Sequence, residues 1–137
     1  DAIAEAVELV RKGVAPRIEQ DHDLATYESW CREADAEVKW YKPAEEVHRL
    51  ICGTDPQPGA WTTVGGKRLK LYGSQLGAGT AEDAPGRILT LSDAGMSVAA
   101  GGGSVVVQRV RAHDSRTKVA AGEYAAHAGL RSGLRLG

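Results

Sequence analysis

The stretch Trp61–Leu76 reads WTTVGGKRLKLYGSQL. Trp61–Val64 and Lys67–Leu76 alternate with a period of two around Gly65-Gly66, which predicts a hairpin with a two-residue glycine turn. In the second arm Leu69 and Leu71 take one side, while Arg68, Lys70 and Tyr72 take the other. Downstream, Gly86–Leu91, Met96–Ala100 and Ser104–Ala112 read as three more short strands, separated by Asp93–Gly95 and Gly101–Gly103. A short helix near Gly122–Ala128 stops at Gly129. Upstream, Pro43–Cys52 reads as a helix: Glu45 and Glu46 suit its positive end, Ala44, Val47, Leu50 and Ile51 share a face, and Gly53 stops it. The expected class is mainly β with helices: a small, open five- to six-stranded barrel of the oligonucleotide/oligosaccharide-binding (OB-like) type. Leu69, Leu71, Ile88, Val106 and Val110 are expected to line its core against Val47, Leu50 and Ile51.

The N-terminal third reads differently. Ile3, Ala6, Val7 and Val10 recur at helical spacing, and Gly13 and Pro16 end the helix. One apolar stripe on three turns is marginal alone and needs a surface to pack on. The expectation is therefore that residues 1–13 belong to a neighbouring domain and that 14–35 form a linker to a barrel over 36–137. Strand character is expected at Ala36–Trp40. Tyr27, Trp30, Trp40 and Tyr41 suggest that the irregular stretch is pinned to the core.

Composition sets the outer limits. The chain has 137 residues, 42% hydrophobic and 26% charged, an ordinary globular make-up. No apolar run approaches the roughly 20 residues of a membrane helix. Cys31 and Cys52 lack zinc-ligand spacing, and two free thiols fit a cytoplasmic protein. The net charge of −1 hides an imbalance: residues 1–60 carry 7 basic against 13 acidic side chains, and 61–137 carry 10 against 5.

Few residues are placed for chemistry. His113-Asp114-Ser115 has the residue types of a hydrolase triad, but neighbours in sequence cannot form the nucleophile–base–orienter chain. It reads as a turn. Asp21-His22-Asp23 closes no metal site and reads as a solvated loop. His48 reads as a structural histidine. Cys52 has no adjacent base in sequence and sits at a helix C-terminus. Gly101-Gly102-Gly103 has no helix after it to complete a phosphate cradle. The basic side chains are more suggestive. Lys67, Arg68, Lys70, Arg109 and Arg111, with Arg17 in the linker, are the candidates for contact with tRNA or other phosphate, and Tyr72 could stack. A solvated outer face is the plainer reading of the same residues.

Larger motifs carry a resemblance. His48-Arg-Leu-Ile-Cys-Gly-Thr-Asp-Pro-Gln-Pro-Gly-Ala-Trp-Thr62, with Pro58, Gly59 and Trp61 at its most specific end, resembles the signature that opens the C-terminal domain of folate-dependent formyltransferases. Trp40, Pro43-Ala44-Glu45-Glu46 and His48 fit that family's Trp-x-x-Pro-Ala-Glu-x-x-His pattern. Gly13-Val-Ala-Pro-Arg17, Gln20 and Ala25-Thr-Tyr-Glu28 resemble its linker, and Ala128–Gly137 its Gly-Leu-x-x-Gly-x-Leu/Phe-Gly terminus. Tyr27-Glu28 and Gly53-Thr-Asp55 look most like the hydrolase region of formyltetrahydrofolate dehydrogenase. Cys52 departs from the pattern, since many members carry Arg there.

The resemblance implies a parent enzyme that transfers a formyl group from 10-formyltetrahydrofolate to an amine, or hydrolyses it to formate. The family's catalytic Asn, His and Asp lie in an N-terminal Rossmann-like domain, and this chain contains no Asn. It thus looks like the C-terminal accessory half, with no catalytic, cofactor or metal site of its own, and with the catalytic domain as its partner. Trp40, Pro43, His48, Pro58, Gly59 and Trp61 would be structural. The alternatives are a stand-alone nucleic-acid-binding module and an independent small enzyme.

Overall fold

The computed structural model describes residues 2–78 and 82–137. Asp1, the first residue of the expected N-terminal helix, lies outside them. The elements are α1 (Ala2–Arg11), α2 (Ala44–Gly53), β1 (Ala60–Val64), β2 (Lys67–Leu76), β3 (Ile88–Ser92), β4 (Gly95–Ala100), β5 (Gly103–Ala112), β6 (Val119–Ala120) and α3 (Ala121–Ala128). The strands form one antiparallel sheet in the order β1-β2-β5-β4-β3, with β6 paired to β5.

Local sequence explains most of these elements. Gly65 and Gly66 both adopt positive φ, as the tight turn between β1 and β2 requires. Gly129 ends α3 in the left-handed conformation. Pro43 caps α2 from just outside it, and the Ala44 N–H finds its acceptor in the Gly101 carbonyl at 3.3 Å. The Gly101–Gly103 turn thus buttresses a helix start. A Cβ on Gly101 would lie 2.6 Å from the Tyr41 carbonyl oxygen, which explains glycine at this crossing.

The sheet curls around Val47 and Ile51 of α2, Leu69 and Leu71 of β2, Ile88 of β3, Met96 and Val98 of β4, and Val105, Val107 and Val110 of β5. Its two edge strands do not pair with each other among the described residues; the C-terminal segment bridges them. Ile88 N–H donates to Leu134 O and Leu136 N–H to Gly86 O, both at 2.8 Å, while Gly137 N–H donates to Thr63 O at 3.0 Å. Leu136 points into the core. The closing element is therefore the glycine- and leucine-rich terminus.

Several expectations are corrected. Val106 is only half-buried, and Val105 and Val107 take the core positions. The cause is Gly73, whose φ of +55° turns β2, so the β2–β5 ladder skips the Gly73–Gln108 pair. The inward face changes parity there. Leu50 sits half-exposed at the rim of the core. Ala36–Trp40 is not a strand: a 3-10 turn covers Glu33–Ala36, a single bridge joins Glu37 to Trp61, and a further turn begins at Lys39. Of the four aromatics in the irregular stretch only Trp40 is buried, at 4% exposure. Tyr27 and Trp30 are 88% and 87% exposed, and Tyr41 is exposed as well.

α1 buries no residue, and Ile3, Val7 and Val10 stand exposed along it. Asp21 caps a 3-10 turn over His22–Leu24 through its own side chain, so the Asp21-His22-Asp23 triplet is a solvated turn. No helix among the described residues is long and apolar enough to cross a membrane.

Candidate functional site

β2 and β5 place the expected basic residues together. Lys70 lies opposite Arg111 and Tyr72 opposite Arg109 in the antiparallel register, all on the outer face. Arg68 follows one step along β2. Arg17 is exposed far upstream in sequence and makes none of these contacts.

The charges on this face are largely engaged. Glu33, from the 3-10 turn, accepts from Lys70 Nζ at 3.0 Å and from Arg68 Nη1 at 3.1 Å. The Lys70 hydrogen bond and positive charge, aided by Arg68, hold its carboxyl below the ordinary carboxylate value. Trp61 Nε1 donates to the Glu33 carbonyl at 2.7 Å, and the Arg68 guanidinium lies 4.2 Å from the Trp61 ring centre. Lys70 also donates to Pro58 O at 2.7 Å. These contacts strap residues 33–36 and 55–59 to the hairpin. Lys67 and Arg109 remain exposed, and Arg109 reaches the Lys118 carbonyl at 3.3 Å.

Tyr72 is not available to stack on a base, because it is wholly buried. The Lys118 ammonium lies 3.7 Å from its ring centre and donates to Asp55 Oδ1 at 2.8 Å, fastening one loop over another. Gly59 presses on the phenol from the other side: a Cβ there would stand 2.8 Å from the hydroxyl oxygen. Among the described residues the Tyr72 hydroxyl finds no hydrogen-bond partner. Glu33 and Lys118 gave no sequence signal, and Asp55 stood out only as part of a family motif, since the partners of all three are long-range.

Two further signature residues, Trp40 and His48, make side-chain hydrogen bonds. Trp40 Nε1 donates to Thr62 Oγ1 at 3.0 Å in the interior. His48 Nδ1 shares a hydrogen bond with Ser74 Oγ at 2.8 Å. The Ser115 N–H donates to Ala112 O at 3.1 Å, so His113-Asp114-Ser115 is a turn. Beside it, a cleft of about 410 Å³ is lined by Lys67, Arg68, His113, Asp114, Tyr124 and His127. His127 Nδ1 lies 2.9 Å from the Glu123 carbonyl, which leaves the Nε2 edge for a ligand. Burial, with the Asp114 charge, pushes the Tyr124 phenol up.

Comparison with known proteins sets this geometry in context. Residues 31–127 match the family described as formyl transferase, C-terminal domain. The methionyl-tRNA formyltransferase of Geotalea daltonii is 31% identical over the whole chain, which covers 43% of that protein. The human mitochondrial 10-formyltetrahydrofolate dehydrogenase is 45% identical over 55% of the chain, which corresponds to 8% of its length. The chain thus spans less than half of these relatives. Among solved structures, a variant of HypX from Aquifex aeolicus superposes with a TM-score of 0.68 at 19% identity, covering 95% of this chain and 23% of that one. HypX in complex with tetrahydrofolic acid superposes with a TM-score of 0.61 at 21% identity, over 91% and 22%. At these identities the two superpositions speak for the fold alone.

Proposed function

The chain belongs to the formyl transferase C-terminal domain family, and from that premise we propose that it is the non-catalytic accessory domain of an enzyme that transfers or hydrolyses the formyl group of 10-formyltetrahydrofolate. The observation that carries this reading is the match of residues 31–127 to that domain. Its partner is a catalytic domain of the same enzyme, in the cytoplasm. The exposed Ile3, Val7 and Val10 of α1 support the assignment of residues 1–13 to that partner, because an apolar stripe of this kind gains stability only against another surface. No step of formyl chemistry is assigned to residues of this chain, and the folate belongs to the catalytic domain. Here Glu33 holds Lys70 and Arg68 on the outer face, and Tyr72 is sealed. The test is turnover of 10-formyltetrahydrofolate by the purified chain, alone and joined to a family catalytic domain. Activity is expected only in the joined protein, and turnover by the chain alone overturns the proposal.

A second reading adds contact with an anionic acceptor such as tRNA. The cleft bearing Lys67, Arg68, His113 and His127 supports it, as does the neighbouring Arg109 and Arg111 edge. Binding through phosphates weakens steeply with salt because each contact releases counterions. tRNA binding at ~50 and ~200 mM salt, compared with an Arg109→Ala/Arg111→Ala variant, decides it. Salt-insensitive binding, or equal binding by the variant, leaves these side chains as solvating charge. Strong binding that needs no catalytic domain favours a stand-alone nucleic-acid module instead.

A further inference from the structure

α2 and β2 bring together three side chains that the accessory role does not use. His48 and Cys52 stand one turn apart on α2, and Ser74 rises to them from β2 just beyond the Gly73 kink. Cys52 Sγ lies 3.7 Å from His48 Nδ1, 4.0 Å from His48 Nε2 and 3.7 Å from Ser74 Oγ. The Ser74 hydroxyl holds the imidazole at 2.8 Å and is itself nearly buried, so the ring is fixed while the sulfur faces solvent. A nucleophile, a base within reach of it and a third group that orients the base form the arrangement on which thiol chemistry depends. Sequence neighbours alone hide it, because base and orienter come from the preceding helical turn and from a strand.

We propose that Cys52 is a histidine-assisted thiol that undergoes exchange with small disulfides, which makes it a site of reversible S-thiolation. The Cys52 sulfur attacks one sulfur of a disulfide RSSR as His48 Nε2, 4.0 Å away, takes up the thiol proton while Nδ1–H donates to Ser74 Oγ. The new S–S bond forms as the old one breaks, and the departing RS⁻ takes the proton back from His48. The products are Cys52–S–S–R and RSH; the Cys52 sulfur is oxidised and the departing sulfur reduced, with no further reagent. His48 acts as the base, and Ser74 is a positioning residue.

The chain carries its own control. Cys31 is also exposed, but among the described residues its sulfur approaches only the Arg32 carbonyl, at 4.0 Å, and no base. The test uses the uncharged reagent 2-hydroxyethyl disulfide on the intact chain, with the mixed disulfide at each cysteine followed by mass spectrometry. Cys52 is expected to react at least about tenfold faster than Cys31, a threshold set below the roughly hundredfold that a well-positioned general base contributes at the least. The two rates are expected to converge in denaturant, where the cluster is dispersed. His48→Gln should bring Cys52 to within about twofold of Cys31, and Ser74→Ala should reduce the ratio part of the way, as loss of orientation alone would. Equal rates in the native protein, or a ratio that survives both denaturant and His48→Gln, overturn the proposal. The wild-type comparison between native and denatured chains decides the matter even where a variant folds poorly.

Discussion

The backbone N–H of Gly137 donates to the carbonyl of Thr63 at 3.0 Å, so the last residue of the chain docks on the first strand. One step earlier, Leu136 is almost fully buried in the core. The terminus therefore both bridges the sheet edges and fills the space between them.

Leu136→Ala should accordingly destabilise the domain by about 2–5 kcal/mol, the cost of removing a buried leucine and leaving a cavity. Denaturant unfolding followed by tryptophan fluorescence measures it. A change under ~0.5 kcal/mol would mean that the terminus frays in solution.

α2 offers a paired comparison. Ile51 is fully buried while Leu50 sits at the rim of the core. Ile51→Ala should cost about 2–5 kcal/mol, and Leu50→Ala about half as much or less, because fewer contacts and less apolar area are lost. Equal costs would contradict the observed orientation of the helix.

Tyr72 and Gly59 make the third case. The Tyr72 hydroxyl is buried without a partner among the described residues, so Tyr72→Phe should be neutral or stabilise by up to ~1 kcal/mol. Gly59→Ala should destabilise by more than about 1 kcal/mol, since φ is +81° and the new Cβ meets the phenol. Thermal unfolding of both variants tests the contact from either side.

Glu33 predicts a pH dependence. Its carboxyl is held below the ordinary value of 4.5 in the folded chain by Lys70 and Arg68, so the unfolded chain binds its proton more readily. The stability it contributes is therefore fully present above pH 4.5 and fades as pH falls through the lower folded value. The stability difference between wild type and Glu33→Gln should shrink over that acid range. A difference that stays constant with pH would remove the charge interaction as its source. Because the side chain is about half exposed, salt should also diminish the effect.

Local pattern was enough to specify the elements whose deciding residues are close in sequence. Period-two alternation around Gly65-Gly66 specified the first hairpin, and the Val47–Ile51 face specified α2, because both depend on residues a few positions apart. The motifs around Trp40, His48 and Trp61 carried the family for the same reason: they are contiguous. Tertiary structure decided what depends on distant partners. The inward face of β5 moved from Val106 to Val105 and Val107 because Gly73, on another strand, takes a positive φ. Tyr72 passed from a candidate stacking surface to a sealed side chain because Asp55 and Lys118, 63 residues apart, close over it. The basic face acquired its counter-charge from Glu33, across more than thirty residues of chain. Cys52 has its base one helical turn before it, a local pairing, but the hydroxyl that orients that base comes from β2, 26 residues from His48. In each case at least one deciding contact is long-range, and such contacts exist only once the chain has folded.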